Sequence, residues 1–336
     1  MRKIFTAVIF LYLLHFINPA NAQQKWVNVD DQFQPLPQNF HVFKCTDSLD
    51  GKPFIAYYAE AKLKDRQLNF TTDTTYKRRL TPQQFFEKNN HPLLVVNTTF
   101  FSFATNQNLN VVIKEGKIVG YNVHTIAGKG KDTLTYRHPM GSAIGINRKR
   151  EADVAWLLSD STKKFLYAKQ VPPAQAFKDS ISNPAFEYFV SKSIYLGDNS
   201  FPGEQHNKKA LIKWKMKTAV GGGPVLVQNS QVKITNNEEL KFGGKAIDDK
   251  HPRTCMGYTK DGRLIVMVIQ GRFNGLAEGA TLNQQAQLMV NLGCIEALNL
   301  DGGGSSCMLI NGKPTITPSD KEGQRAVPAV FIVEAK

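Results

Sequence analysis

The chain has 336 residues, of which 42 are Lys or Arg and 28 are Asp or Glu, giving a formal net charge of +14. This length suits one large domain or two small ones, and the positive charge favours anionic partners such as phosphates or acidic glycans. The lysines are densest at residues 192–217 but do not alternate with aromatic residues, so the pattern argues against nucleic-acid binding and is also compatible with a solvated basic face.

The first 22 residues have the pattern of a cleaved secretory signal peptide. Arg2 and Lys3 precede an almost wholly apolar run at 4–17, and residues 19–22 supply a helix breaker and small residues before Gln23. The apolar run is short for a membrane span, and an uncleaved anchor is the alternative. We therefore expect a periplasmic or secreted protein with no stable membrane insertion after cleavage, whose mature chain carries about +12.

Residues 23–40 predict a polar N-terminal arm that leads into one domain at 41–336. Near the start of the domain, Thr81-Pro82 predict a capped helix with proline at its first position, and Pro92 marks its end. Residues 93–96 then predict a short buried strand that carries Asn97 at its end.

Short apolar runs on either side of turn residues predict β-hairpins. The paired runs are 111–113 with 118–121, 225–227 with 232–234, 255–258 with 264–269, and 308–310 with 314–316. This density of short turns predicts a largely antiparallel sheet.

One segment near the C-terminus departs from the hairpin pattern. After the strand that ends at Ile269, Thr281 predicts the start of a helix that runs to about Leu292, and a further strand follows at 295–300. The predicted fold class is therefore α+β, a largely antiparallel mixed sheet with one strand–helix–strand crossover. In such a crossover the loops 270–279 and 301–306 share one rim of the sheet, where ligands tend to bind.

Two features leave alternatives open. Residues 151–217 show no clear pattern and are either a variable elaboration of the domain or loops that determine specificity. The cysteines, Cys45, Cys255, Cys294 and Cys307, are expected to be free thiols in the core, although an exported chain also permits disulfides.

The string at 299–306 is the strongest candidate for a binding loop. Asp301 ends a predicted strand and is followed by Gly302, Gly303 and Gly304, whose N–H groups suit an anion, and then by Ser305 and Ser306. A plain tight turn is the alternative, and the spacing matches neither a Walker loop nor a dinucleotide fingerprint.

Two arginines lie at predicted strand ends. Arg253 stands at the start of one strand and Arg272 follows the end of the next, and a guanidinium can contact phosphate with two donors. For each arginine taken alone, a surface ion pair is the alternative.

In order and spacing, three C-terminal strings resemble the core of the phosphodiester glycosidase family. They are HPRTCMGYTKDGRLIVMVIQGR, GATLNQQAQLMVNLGCIEALNLDGGGSSCMLING and GQRAVPAVFIV. Upstream, VVNTTFFSFATNQNLNVVIKEGKIV and TAVGGGPVLVQNSQV look like earlier blocks of that family. The resemblance covers roughly 93–123 and 218–333, and none is found at 151–217.

The resemblance implies an exported hydrolase that cleaves a sugar-1-phosphodiester bond in a carbohydrate or phosphoglycan, and it links bacterial members loosely to exopolysaccharide metabolism. It also implies which positions line the site: Asn97, Arg253, Arg272, Asp301, Gly302, Gly303, Gly304, Ser305, Ser306 and Arg325. Two departures stand out: Thr98 replaces a glycine of the N-G-x-F-F block, and Asn283 and Gln284 stand where an acid is common.

We expect Arg253, Arg272 and the amides of Gly302–Gly304 to hold the phosphate. Asp301 is the first candidate for the carboxylate near the anomeric carbon, and Glu278 is the second. A role for Asp301 in binding a divalent cation, or in shaping the loop, is left open, and no other cofactor is predicted.

Two rival functions follow from the same residues. Ser305 or Ser306 could act in acyl transfer with a histidine base (His124, His138, His206 or His251), but the string is not a nucleophile elbow. The other rival is a non-catalytic protein of the same fold that binds a glycan or phosphoglycan.

Overall fold

A computed structural model of the chain describes residues 24–174, 176, 178–195 and 211–336. The predicted signal peptide and His206 lie outside these residues. The helices of the described chain are α1 (Pro82–Lys88), α2 (Phe186–Tyr195), α3 (Asn236–Glu239) and α4 (Leu282–Asn291). None of the helices in the ranges described has the length and apolar character needed to span a membrane.

Strands make up most of the regular structure. Those of the N-terminal half are β1 (Val27–Asn28), β2 (Phe40–Cys45), β3 (Ser48–Leu49), β4 (Lys52–Pro53), β5 (Ala56–Lys62), β6 (Leu68–Thr74), β7 (Leu94–Asn97), β8 (Val112–Lys114), β9 (Lys117–Gly120), β10 (Ile126–Ala127), β11 (Tyr136–Arg137), β12 (Gly141–Ile146) and β13 (Ala152–Leu158). The later strands are β14 (Leu166–Lys169), β15 (Lys178–Asp179), β16 (Ile212–Trp214), β17 (Thr218–Gly221), β18 (Val225–Gln228), β19 (Gln231–Val232), β20 (Arg253–Thr259), β21 (Arg263–Ile269), β22 (Cys294–Asn299), β23 (Met308–Ile310), β24 (Lys313–Pro314) and β25 (Ala329–Ala335).

These strands form several sheets and not the single sheet that the hairpin pattern suggested. The large ones have the orders β1-β2-β5-β21-β20-β22-β18-β19, β16-β14-β13-β12-β17-β8-β9 and β24-β23-β7-β25-β6. Every hydrogen-bonded strand pair in the described chain is antiparallel. Hydrophobic alternation predicts the strands, but it does not say how many sheets they make.

The inner faces of the three large sheets meet in one core. Strand β21 shows why its sequence is apolar at almost every position: Leu264, Val266 and Val268 face this core, while Ile265 and Met267 pack against α4 on the other side. A strand covered on both faces reads as a continuous apolar run and not as an alternation.

Strands β21 and β22 lie on either side of β20 in the first sheet, and both run antiparallel to it. They therefore run in the same direction, and α4 is the connection between them. Their carboxyl ends meet at one rim, together with the start of β20, where Arg253 pairs with Ile269. This rim positions the candidate site.

The predicted helix starts are confirmed in atomic detail. Thr81 caps α1 and Thr281 caps α4, each in a reciprocal capping box with the glutamine three residues later. The Asn311-Gly312 turn is also confirmed: both residues have positive φ, 47° and 75°, between β23 and β24. Such turns match the twist of the strands that they join.

Two sequence interpretations need revision or detail. Part of 151–217 is core, because β13 lies inside the seven-stranded sheet and its Trp156 is fully buried. The four cysteines all lie in the described chain, and each is buried with a free thiol.

Candidate active site

Asp301 lies at the rim of the sheet, where both its N–H and its carbonyl are hydrogen-bonded. The Asp301 N–H donates to the Thr98 carbonyl at 2.7 Å, and the Asn97 amide donates to the Asp301 carbonyl at 2.6 Å. Leu300, one residue earlier, is fully buried and donates its N–H to Thr254. The main chain is therefore anchored, and Asp301 as a residue is half-buried.

The glycines after Asp301 allow two arginines to lie directly on the loop. Gly303 has φ +61°, and a Cβ there would come within 3.0 Å of Arg272 Nη2. A Cβ on Gly304 would come within 2.3 Å of Arg325 Nη2. Glycine is required here because backbone and guanidinium occupy the space of a side chain.

The loop amides are less available to a ligand than the sequence suggested. The Gly303 N–H donates to the Pro252 carbonyl at 2.8 Å, which leaves it unavailable to a phosphate. The Gly302 N–H is directed at the Asp301 carboxylate and lowers its pKa. Cationic side chains are therefore the main donors that this loop assembles.

Arg253 and Arg272 place two positive charges close together. Arg253 is buried, and its guanidinium donates to the carbonyls of Ala280 and Asp249 at 2.9 and 3.0 Å. Burial, together with the charge of Arg272, lowers the pKa of Arg253 to about 10. Arg272 is exposed, and within the described chain its guanidinium has no ion pair. The charge of Asp249 acts on Arg253 and that of Asp320 on Arg272, but neither forms an ion pair with these arginines in the described chain, so the two like charges favour an anionic ligand.

Arg325 completes the cationic side of the cleft. Its Nε donates to Asp320 Oδ2 at 2.6 Å, which orients the guanidinium against Gly304. It also lies 5.4 Å from the ring centre of Phe103. Phe103 is 62% exposed and its ring is also covered by Arg79 at 5.3 Å, so an aromatic surface stands between two guanidinium groups at the mouth of the cleft.

A pocket adjoins the cleft on the Arg253 side. The Arg253 guanidinium lies 5.9 Å from the ring centre of Phe242, and the Phe242 and Phe100 rings meet edge to face at 5.9 Å. Lys241 Nζ lies 5.4 Å from the Phe100 ring centre. We call this the Lys241 pocket; it has a volume of about 360 Å³. Small-molecule sites typically measure roughly 300–1,000 Å³.

The environment of Asp301 moves the pKa of its carboxyl group into the neutral pH range. Burial raises the pKa of Asp301 to about 7, while Ser305, the Arg325 charge and the Gly302 amide act in the opposite direction. The Ser305 hydroxyl is buried and makes no hydrogen bond of normal length. A carboxyl group poised near neutrality suits a group that gains or loses a proton during a reaction.

Three residues close in sequence to the candidate site residues have unsatisfied buried polar atoms. Within the described chain, Thr99 Oγ1, Ser305 Oγ and His251 Nδ1 are buried and lack a hydrogen-bond partner of normal length. Buried polar groups normally have a partner in the protein or in water. A polar ligand or ordered water would satisfy such atoms.

Three predicted site residues lie elsewhere than in the open cleft. Asn97 is fully buried, and its Oδ1 accepts from Thr254 and from the Cys307 N–H, so it holds the loop from below. Ser306 is also fully buried and accepts from Thr254. The Glu278 carboxylate lies 3.9 Å from Lys52 Nζ, and no contact brings it to Asp301. Sequence spacing predicted that these residues lie near the rim, but it did not predict the direction of their side chains.

The two departures from the family pattern have local explanations. The Thr98 side chain is fully buried and donates to the Ala329 carbonyl at 3.1 Å, so it points into the core and does not narrow the cleft. The Gln284 carboxamide accepts from the Thr281 N–H at 2.9 Å, which is the helix-capping contact. Neither substitution removes a group from the cleft.

Sequence reasoning missed Lys241, Phe103 and Asp320. Lys241 and Asp320 belong to none of the quoted strings, and Phe103 lies in the upstream block without being singled out there; the three lie 60 or more positions before Asp301 or about 20 after it. The only available signal was indirect: Phe103 follows the Phe-Phe pair of the quoted upstream block, and Asp320 shortly precedes Arg325.

The cleft does not resemble a cation site. In the described ranges, no three His, Cys, Asp or Glu side chains come together as metal ligands would. Asp301 is instead close to the Arg325 charge, and Arg272 lies on Gly303 of the same loop; both positive charges disfavour a divalent cation.

Neither serine of the loop is paired with a histidine. Ser306 bonds to Thr254, and Ser305 has no partner at normal distance. His138, which does contact a carboxylate, bonds to Asp179 and Thr125 away from the loop. The geometry therefore does not favour acyl transfer at Ser305 or Ser306.

Comparison with known proteins supports the resemblance and sets its extent. Residues 181–334 match the family model described as phosphodiester glycosidase. The match thus begins inside 151–217, where the sequence alone had shown none. The N-acetylglucosamine-1-phosphodiester alpha-N-acetylglucosaminidase of Mus musculus is 28% identical over 102 residues, which are 30% of this chain. The match spans only 19% of that relative's length.

Solved structures share the fold. The catalytic domain of the zebrafish N-acetylglucosamine-1-phosphodiester alpha-N-acetylglucosaminidase, auto-inhibited by its pro-peptide, has 18% identity and a TM-score of 0.55, covering 90% of this chain and 85% of that one. A hypothetical protein from Synechocystis has 14% identity and a TM-score of 0.57, covering 93% and 64%. At these identities the likeness concerns the fold alone. Together with the sequence match at 181–334, this likeness supports the resemblance to the phosphodiester glycosidase family over that part of the chain.

Proposed function

We propose that the protein is an exported glycosidase that hydrolyses a sugar-1-phosphodiester bond. The observation that carries the proposal is the arrangement of Arg272 and Arg325 on the glycine loop that follows Asp301, a half-buried residue whose carboxyl group has its pKa raised by burial. Cations on one side and a carboxylate on the other are what a phosphodiester joined to an anomeric carbon requires.

The phosphate is assigned to the arginine side of the cleft. Arg272 has no ion pair within the described chain and is free to bind an anion through two parallel N–H donors. Arg253 lies behind it, with its own donors bound to main-chain carbonyls, and adds positive charge without being the first contact. The Arg325 guanidinium is held by Asp320 and contributes from the opposite side of Gly304.

Asp301 is assigned the carboxylate role at the anomeric carbon. In its ionised form it accepts the proton of a water molecule as the water oxygen bonds to that carbon and the carbon–oxygen bond to phosphate breaks. The electron pair leaves with the phosphomonoester, which is a better leaving group than an alkoxide and needs little acid assistance. With a pKa of about 7, Asp301 is substantially ionised at neutral pH and can act as the base.

One observation favours the alternative, a non-catalytic phosphoglycan-binding protein of the same fold. The second candidate carboxylate, Glu278, is turned towards Lys52 and leaves Asp301 without the predicted partner. Many glycosidases use two carboxylates. Because a phosphomonoester is a good leaving group, a second carboxylate is not needed as a general acid. We therefore retain the enzyme as the conclusion.

The test is turnover of the mature protein on a panel of sugar-1-phosphodiesters in isotopically labelled water, with and without EDTA. Label in the free sugar, together with a phosphomonoester product, supports cleavage at the anomeric carbon. Label in the phosphate contradicts the proposed mechanism, and loss of activity in EDTA would assign a metal to the reaction. Asp301→Asn should abolish turnover, whereas Asp31→Asn, an exposed control, should not. Ligand binding without any turnover would establish the binding protein instead.

A further inference from the structure

Lys241 lies in the pocket next to Glu239, which lines the same pocket, but forms no ion pair with it. Within the described chain its ammonium makes no hydrogen bond and no ion pair. Its stem packs against Gly223, where an added Cβ would lie 2.5 Å from Lys241 Cε. The side chain is thereby held in place, with its charged end next to the Phe100 ring.

The nearest acid, Glu239, is already satisfied by other donors. Its Oε1 accepts from Thr235 at 2.6 Å and from the Val225 N–H at 2.9 Å, and its Oε2 accepts from Ser142 at 2.6 Å. Glu239 therefore acts as a structural acceptor beneath the glycine run at 221–223. It lowers the electrostatic cost of Lys241 without forming a salt bridge to it.

Burying an ammonium is costly because the charge loses its water, and the Glu239 charge offsets only part of this cost. Burial accordingly lowers the pKa of Lys241, an effect that the Glu239 charge opposes. A ligand that brings its own negative charge removes this cost. The binding of such a ligand is therefore favoured over the binding of a neutral one of the same shape.

The walls of the pocket suit a sugar ring. Phe100 and Phe242 present aromatic surfaces at right angles, and Leu109, Val123 and Ile126 add apolar lining. Aromatic side chains with a few placed polar groups are the usual lining of small-molecule sites. Phe242 also contacts Arg253, which connects the pocket directly to the phosphate side of the cleft.

We infer that the Lys241 pocket is the subsite for an acidic sugar, a uronic acid whose carboxylate binds the Lys241 ammonium while its 1-phosphate lies towards Arg253 and Arg272. The inference rests on the proposed function and specifies its substrate: the glycosyl unit carries a carboxylate in addition to the phosphodiester. It also accounts for a cationic residue placed on the side of the cleft away from Arg325.

The experiment compares the methyl phosphodiesters of glucuronic acid 1-phosphate and glucose 1-phosphate as substrates. Wild type should show at least tenfold higher kcat/KM for the uronate. Lys241→Met, which keeps the length of the side chain, should lower the ratio of the two kcat/KM values at least tenfold, mainly through KM for the uronate. Lys241→Arg should restore most of the ratio, and Lys245→Met, an exposed control in the same segment, should not change it.

Equal kcat/KM values for the two substrates, or a ratio unaffected by Lys241→Met, would overturn the acidic subsite while leaving the glycosidase intact. If neither diester is cleaved, the proposed function fails, and the subsite is then tested by calorimetry with glucuronate and glucose alone. Binding of glucuronate that Lys241→Met weakens tenfold supports the subsite. The absence of any preference for glucuronate refutes it.

Discussion

Arg272 Nη2 lies 3.0 Å from the point where a Cβ on Gly303 would be. Both residues have positive φ, +68° for Arg272 and +61° for Gly303. The loops that follow β21 and β22, which run in the same direction on either side of β20, therefore meet where the Arg272 guanidinium lies against the Gly303 backbone. This contact brings the cation of one loop to the glycines that follow Asp301 in the other.

Gly303→Ala should separate the effect of this contact from the effect of backbone strain. The left-handed conformation costs an alanine about 1–2 kcal/mol of stability, and the new methyl group would displace Arg272. We expect at least a tenfold loss of kcat/KM and a destabilisation of that size in chemical denaturation. Gly275→Ala is the matched control, because Gly275 has φ +72° with nothing within 4 Å. If Gly303→Ala and Gly275→Ala lose activity equally, the contact between Arg272 and Gly303 does not contribute to activity.

Arg272→Gln should weaken phosphate binding without unfolding the protein, because the side chain is exposed and makes no ion pair in the described chain. We expect KM for a phosphodiester, and the inhibition constant of inorganic phosphate, to rise tenfold or more. Arg272→Lys should recover only part of the loss, since an ammonium lacks the planar pair of donors. Arg66→Gln, at an exposed site in another loop, is the control. An unchanged inhibition constant for phosphate would place the anion elsewhere.

The pH profile should report the ionisation of Asp301. As the base, Asp301 must be deprotonated, so kcat/KM should rise with pH and level off above about 7. A profile that falls through this range would assign Asp301 as a general acid. The measurement is kcat/KM from pH 5 to 9 at constant ionic strength, with Asp301→Asn as the inactive reference.

The same carboxyl group should make stability depend on pH. Its folded pKa, about 7, is above its ordinary value of 3.8, so the folded state holds the proton more tightly and stability falls as pH rises from about 4 to 7. Asp301→Asn removes this penalty. Relative to wild type it should be more stable by roughly 1–3 kcal/mol at pH 8, and this gain should disappear near pH 4.

Glu296 provides a control for that prediction. Burial raises its pKa to about 7 as well, but it accepts from Tyr258 and Val154, between the first and second sheets and away from the cleft. Glu296→Gln should therefore show a pH-dependent gain like that of Asp301→Asn and yet retain turnover. Denaturation and activity are measured on both variants. A change in stability alone indicates a buried acid, whereas a loss of turnover as well indicates an acid that takes part in the reaction. Loss of turnover in Glu296→Gln would contradict this distinction.

Local elements were predictable because their causes are local. The capping boxes at Thr81 and Thr281, and the Asn311-Gly312 turn, depend on side chains that bond to or shape their own backbone within a few residues. The core strand β21 was recognisable from its apolar run at 264–269. The sheet number was not, because alternation specifies two faces of a strand and says nothing about its neighbours.

The site was only partly predictable. An acid at the end of a strand followed by three glycines indicated where Asp301 lies, and the family resemblance added Arg253, Arg272 and Arg325. It did not show that Asn97 and Ser306 are buried beneath the loop, nor that Glu278 turns to Lys52. Spacing along a chain carries no information about which way a side chain points once loops are packed together.

By itself the sequence determined the short elements and the position of the loop, since these follow from contacts within a few residues. Only the tertiary structure decided that Arg272 and Arg325 lie on the glycine loop after Asp301, that Lys241 lies near Glu239 without an ion pair, and that burial moves the pKa of Asp301 towards neutrality. The reason is physical: charge–charge distance and desolvation depend on how distant segments pack, and the pKa of a carboxyl group follows from both.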